Sequence, residues 1–308
     1  MSADTRTPEL AGMRRLPGGV FHMGSDDFYP DERPAHPRTV APFWIDTHAV
    51  TNAQFARFVA ETGYVTVAER ELDPARFPGA DPADLVPGAM VFTPPPTPVD
   101  LGNWRNWWRW QPGASWQRPF GPASSIVDRL SHPVVHVAYE DASTYAAWAG
   151  KRLPTEAEHE YASRGGRDGA AFAWGDEPYP NGIAQANSWL GRFPHDNQGV
   201  GGTAPVGSYP PNGYGLSDMI GNVWEWTSDA YTPRHFPPSA TPVEAGARPN
   251  LLAAPAPGTP PEPPRRVLKG GSFLCSPDYC LRFRPAARSP QAEDTGMSHI
   301  GFRCARDA

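Results

Sequence analysis

Proline and glycine constrain this chain more than any other residue types. There are 39 prolines and 30 glycines among 308 residues, more than a fifth of the sequence against an average near 12%. Proline breaks helix interiors and glycine weakens them, so a helix bundle or coiled coil is excluded. Disorder is excluded too: 39% of residues are apolar, and 11 Trp, 14 Phe and 10 Tyr are too much to leave in water. The expectation is an α+β chain forming a single loop-rich domain with little regular secondary structure, ordered loops and an aromatic core.

The formal net charge of −6 carries no electrostatic footprint for a nucleic-acid backbone or an anionic membrane. The opening MSADTRTPEL lacks the apolar run of a signal peptide, and no stretch approaches the roughly 18–20 apolar residues of a spanning helix. A cytoplasmic monomer with no nucleic-acid or membrane partner is expected. Three cysteines argue against a secreted disulfide scaffold. Their placement says more, because Cys275, Cys280 and Cys304 all fall near the C-terminal end.

Residues 1–12 read as a flexible leader to one domain over 13–308. Strands are expected at 18–23 and around Thr39 to Asp46. Thr51 and Asn52 can cap a helix with Phe55, Phe58 and Val59 on its apolar face and Gly63 as its stop. Prolines are dense near 73–98 and again at 233–264, so both regions read as loop insertions. The Trp-rich run at 103–116 reads as packing over the core rather than a surface for stacked bases. HPVVHV (132–137) reads as a short buried strand. Glu140 or Asp141 opens a helix carrying Ala142, Tyr145, Ala146 and Ala149. Thr155 and Glu158 form a capping box for another that stops at Gly165. A last strand begins at Arg265.

Cys275 and Cys280 are spaced C-x4-C with Ser276 and Pro277 at a turn between them. This is not a zinc knuckle, and no cysteine or histidine cluster nearby completes a tetrahedral set. Two thiolates alone suit a soft, low-coordinate ion, Cu(I) foremost. Arg282, Arg284 and Arg288 follow, and nearby cations favour the thiolate. Three readings stay open on spacing alone: a packed pair of small apolar groups, a redox dithiol, or a metal site. In SDMIGNVWEW (217–226), Asp218 and Glu225 are hard oxygen donors beside a Gly221-Asn222 turn, which reads as a solvated turn or a calcium site. His132, His136, His159 and His195 lack the spacing of a zinc protease, and neither a phosphate loop nor a G-x-S-x-G elbow is present.

Five blocks together resemble the formylglycine-generating enzymes, the sulfatase-modifying factor family: LPGGVFHMGS (16–25), the segments 42–66 and 132–158, NGYGLSDMIGNVWEWTSD (212–229), and KGGSFLCSPDYCLRFRPAARS with GFRCA (269–305). The last block is the selective one, through G-G-S-x-x-C-x4-C-x-R-x-R. The resemblance implies a fold related to C-type lectins and an oxidase that converts a cysteine of a C-x-P-x-R segment in an unfolded sulfatase to Cα-formylglycine. Its implied cofactor is one Cu(I) on Cys275 and Cys280, with O2 as oxidant and an outside thiol as reductant. Ser272 matches a serine lining the site, and Trp224, Tyr279, Arg288 and His299 match positions around the substrate pocket. Calcium, Ca(II), is implied at the Asp218 and Glu225 side chains with the Gly221 and Val223 carbonyls. A second calcium site is implied at Asn187 and Ser188, but its acidic arm lacks a carboxylate after Asp196. This chain also departs from the family: Ser276 stands for a common histidine, His299 for an asparagine, His159 for a tryptophan and Pro285 for a cysteine. Cys304 has no partner and reads as a buried structural thiol. The alternative is a non-catalytic binding module on the same scaffold.

Overall fold

Glycine turns and prolines keep the strands between two and seven residues long, so four small sheets share the work of one large one. The computed structural model describes residues 11–76, 79, 81, 83, 85–236 and 264–308. In chain order these contain β1 (Met13–Leu16), β2 (Gly19–Met23), β3 (His36–Val40), β4 (Phe43–Asp46), α1 (Asn52–Thr62), β5 (Gly88–Phe92), β6 (Trp108–Pro112), α2 (Tyr139–Trp148), α3 (Glu156–Arg164), β7 (Trp224–Ala230), β8 (Arg265–Lys269), β9 (Arg288–Ala292), β10 (Ile300–Gly301) and β11 (Ala305–Asp307). The sheets run β1-β4-β11, β10-β7-β8-β9, β2-β3 and β5-β6. The C-terminal β11 pairs antiparallel with β4, bringing the two ends of the described domain together.

The helices form where their caps demand. Thr51 and Gln54 close a capping box on α1, and Gly63 stops it at φ 68°. Thr155 and Glu158 do the same for α3, with Gly165 at φ 58°. α1 and α2 bury Phe55, Phe58 and Tyr145 against Trp116, Trp224, Trp226 and Phe302, and this largest apolar cluster reaches Cys275. Helix α3 is buried along all nine residues although its sequence, EAEHEYASR, is polar. Each of its carboxylates is matched by a cation: Glu156 by Arg288, Glu158 by Arg152, and Glu160 by both Arg164 and Lys269. Pairing of this kind is what allows charge into an interior.

Four expectations change. The stretch Thr39 to Asp46 is two strands, because Val40 ends its pairing with β2 and Phe43 begins a new one with β1. HPVVHV is buried but joins no sheet. Its Val134 N–H bonds to Val50 and its His136 N–H to Met297, and His136 sits at φ 59°, outside the extended region. The 73–98 loop contains β5, whose five residues fit between Pro87 and Pro94 and pair with the Trp-rich β6. Helix α2 starts at Tyr139, since Asp141 serves as its N3 residue and accepts the Ala138 N–H at 2.8 Å. The leader at 1–12 lies outside the described residues except for a turn at 11–12. The proline-rich 233–264 segment falls outside them from 237 to 263. No helix among the described residues is long and apolar enough to cross a membrane.

Candidate functional site

Strand β8 delivers the chain to the site through Gly270 and Gly271. A Cβ on Gly271 would meet the Arg282 carbonyl at 2.7 Å, so only glycine lets the strand exit pack against the segment that returns past it. Cys275 N–H then donates to Ser272 O at 3.0 Å, and Cys275 O accepts the Trp189 N–H at 2.9 Å. The Ser272 N–H points at Cys275 Sγ at 3.4 Å, so this fully buried serine touches the thiol through its backbone. Ser276 and Cys280 exchange both backbone hydrogen bonds, at 3.1 and 2.8 Å, closing the turn. The closure sets the two Sγ atoms 3.8 Å apart, well beyond the roughly 2.05 Å of a disulfide.

The two thiols are unlike. Cys275 is 2% exposed while Cys280 is partly open. Burial pushes the Cys275 thiol well up, and Cys280 moves the other way because Cys275 donates to it and Arg282 lies beside it. Of the two, the partly open Cys280 is the thiol more readily ionised. Cys304 is buried with its thiol pushed up by burial, and its N–H donates to Asp46. This is the structural role expected of it.

Tyr279 is 40% exposed. Its ring lies parallel to Phe193 at 4.3 Å and edge-on to Trp107 at 5.7 Å, giving the dithiol an aromatic wall. Behind that wall Phe92, Trp107, Trp189, Phe193, Phe273 and Leu274 form one cluster. His299 borders it, 4.8 Å from the Trp108 ring, and burial lowers its pKa to about 3, so the imidazole is neutral. Trp224 belongs to the same apolar cluster as Cys275 and is buried rather than facing a groove. Arg288 is a correction. It is 1% exposed, donates from Nη2 to Glu156 Oε2 at 2.9 Å and from Nη1 to the carbonyls of Asp31 and Thr232. Its Nε lies 2.7 Å from Glu156 Oε1, too far off line to bond, yet the charge is fully matched. Buried against Glu156, it presents no donor at the surface for a substrate.

The 217–226 turn is built without help from an ion. Gly221 approaches the Asn187 carbonyl so closely that a Cβ would lie 2.5 Å from it. The Asn222 side chain accepts from Asn187 Nδ2 and Ala204 N–H and donates to Ala204 O, lacing this turn to the 187–204 loop. Glu225, expected as a calcium ligand, is gripped by Arg303 at 2.6 and 2.8 Å and receives His159 Nε2 at 3.0 Å. Burial would raise the Glu225 pKa, but Arg303 and His159 outweigh it and hold it at about 2. The guanidinium also bonds the Asp218 carbonyl, standing where a cation is needed. Asp218 is close enough to feel the Glu225 charge, and its Oδ2 is taken by the Gly207 N–H. With Glu225 neutralised by the chain's own cation, this donor set does not fit calcium. At the second expected site Asn187 Oδ1 is buried without a partner and Ser188 faces Tyr179, but among the described residues no carboxylate joins them. Among the described residues no three His, Cys, Asp or Glu side chains gather as a metal cluster.

One group of residues was missed at the level of sequence. The 28–32 loop, FYPDE, packs directly on the segment after Cys280. Glu32 pairs with Arg284, Asp31 with Arg282, and Tyr29 Oη accepts the Leu281 N–H at 3.0 Å. Nothing local marks these residues; the only signal is two acids in a loop matched by three arginines far away.

Comparison with known proteins agrees with this geometry. Residues 1–308 match the family described as the sulfatase-modifying factor enzyme 1-like domain. A formylglycine-generating enzyme of Mycobacterium tuberculosis is 58% identical over 297 residues, covering 95% of this chain and 96% of that protein. A mouse protein named inactive C-alpha-formylglycine-generating enzyme 2 is 37% identical, covering 96% of this chain and 86% of its own length. Among solved structures, PvdO from Pseudomonas aeruginosa superposes with a TM-score of 0.60 at 28% identity, covering 96% of this chain and 94% of its own.

Proposed function

This chain belongs to the sulfatase-modifying factor enzyme 1-like family, and we propose that it oxidises the cysteine of a C-x-P-x-R segment in an unfolded sulfatase to Cα-formylglycine. The observation that supports this most is the pair of free thiols, Cys275 and Cys280, 3.8 Å apart in an intact C-x4-C turn. A domain that only bound a partner would have no need to keep two thiols reduced, unequal and within joint reach.

Two thiols so placed fit a soft, low-coordinate ion, and Cu(I) is the one we assign to them. When bound it would supply the redox chemistry with O2 that no side chain performs. The chain's own residues do the rest. Cys280 offers the more readily ionised and more accessible thiol, while Cys275 is held in the interior beside Ser272 and Trp189. Tyr279, braced by Phe193 and Trp107, is the wall along which an extended peptide lies, its proline against the rings. Neutral His299 takes part as a hydrogen-bonding group and not as a charge. Overall, the substrate thiol, dioxygen and two thiols of an outside reductant give the aldehyde, hydrogen sulfide, a disulfide and water. That Cys275, Cys280 and Cys304 are all free thiols supports the cytoplasm as the compartment.

The test is to incubate the reduced, Cu(I)-loaded protein with a C-x-P-x-R peptide, O2 and a mild thiol, and to weigh the peptide. The aldehyde mass is expected. An unchanged peptide mass with copper demonstrably bound overturns the proposal.

A further inference from the structure

The two sulfurs are not equally well fixed by their surroundings. Cys275 is tied to Ser272 and Trp189 and buried in the core. Cys280 sits on the open arm of the turn, and no strand follows it until β9 begins at Arg288. What holds the chain just beyond Cys280 comes from the opposite end of the sequence.

Tyr29 Oη accepts the Leu281 N–H at 3.0 Å, one residue past the thiol. The Arg282 guanidinium lies 4.0 Å over the Tyr29 ring and donates to Asp31 Oδ2 at 3.0 Å. Arg284 is 3.6 Å over the Phe28 ring and meets Glu32 through two hydrogen bonds at 2.5 and 3.0 Å, both side chains being buried. The Asp31 carbonyl accepts from Arg288 at 3.1 Å. Each alternate residue from 282 to 284, and Arg288 beyond, is thus fastened to the 28–32 loop by charge, ring face or both.

We propose that the 28–32 loop is part of the dithiol site, with Tyr29 and Asp31 as positioning residues that keep Cys280 within joint reach of Cys275. The inference rests on the dithiol reading above. Two ligands on one ion bind tightly only if neither has to be ordered on binding, and a loose second thiol loses that advantage. Glu32 and Arg284 anchor the loop in the interior. Tyr29 and Asp31 act nearer the sulfur, at its partly open edge.

Two constants of the full-length reduced protein read the effect: Cu(I) affinity by competition with bicinchoninate, and the equilibrium between the Cys275–Cys280 dithiol and its disulfide in glutathione buffers. Loss of one hydrogen bond of about 1 kcal/mol lowers each constant by about fivefold. Tyr29→Phe and Asp31→Asn are expected to do this separately. Asp46→Asn at the end of β4, which breaks an ion pair of similar burial with Lys151, should move neither constant. Equal losses in Asp46→Asn, or no change in Tyr29→Phe and Asp31→Asn, overturn the proposal. If the unaltered protein takes up no Cu(I), the proposed function fails instead, and the disulfide equilibrium still decides the role of the loop.

Discussion

Glu32 and Arg284, 252 positions apart in sequence, meet as a buried ion pair with two hydrogen bonds, at 2.5 and 3.0 Å. Burial raises the Glu32 pKa even though the guanidinium opposes it, which shows what the pair costs to bury. Such a pair adds little over an apolar replacement, but losing one partner strands the other. Glu32→Gln is expected to destabilise the domain by about 3–5 kcal/mol, read from urea unfolding. A loss below about 1 kcal/mol, the level of an exposed pair, would contradict the arrangement.

Cys275→Ser and Cys280→Ser should each abolish stoichiometric Cu(I) uptake and aldehyde formation. They should differ in stability, because Cys275 is packed in the core and Cys280 is at its edge. Melting temperatures together with copper content by mass spectrometry separate the two effects. Activity retained in either variant would remove the dithiol from the chemistry.

Arg288→Lys is expected to lower stability while leaving KM for a C-x-P-x-R peptide unchanged. A lysine cannot supply the several donors that Arg288 gives to Glu156, Asp31 and Thr232. Peptide-concentration curves on the variant decide it, since a rise in KM with normal melting would return Arg288 to the substrate pocket.

Removal of calcium should matter little. An ion present at 100 times its Kd would add about 2.7 kcal/mol, worth roughly 5 °C or more in a domain of this size. With Glu225 already paired to Arg303, EGTA is expected to shift the melting temperature by less than about 2 °C. A drop of 5 °C or more reversed by calcium would show that the ion displaces the guanidinium.

Acid should weaken the fold from below pH 6.5. Burial holds His136 at about 4 and His235 and His299 at about 3, against roughly 6.5 in the unfolded chain. The unfolded state then binds more protons, so stability rises with pH in this window and is lost as pH falls. Asp141, pushed up by burial to about 6, opposes this between about pH 4 and 6, because there the folded state holds the extra proton. Three imidazoles against one carboxylate leave a net loss of up to about 2.7 kcal/mol per pH unit. Glu160 and Glu225, each held at about 2 by neighbouring cations that overcome burial, add their loss only below about pH 4.5. Urea titrations at pH 6 and 5 measure the slope, and Asp141→Asn should steepen it.

Much of this was legible in the residues. Caps and stops at Thr51, Gly63, Thr155 and Gly165 act within a few positions, and the structure has them as read. The C-x4-C turn is likewise local, and its two backbone hydrogen bonds follow from its length. What escaped was set by distant partners. HPVVHV has the composition of a strand, but its hydrogen bonds go to two different loops. Arg288 and Glu225 carry the residue types of a pocket and a calcium cage, and burial beside Glu156 and Arg303 turns each into one half of an ion pair. No local pattern ties FYPDE to an arginine-rich segment some 250 residues later.

That separation has a kinetic consequence. Contacts spanning 251 to 257 positions, from Asp31 and Glu32 to Arg282, Arg284 and Arg288, are slow to find because a long loop must close before they give anything back. On the ribosome, the 28–32 loop emerges long before its arginines exist. Only after residues 281–288 have been made can the 28–32 loop close on them, so the segment that carries Cys280 gains these contacts late.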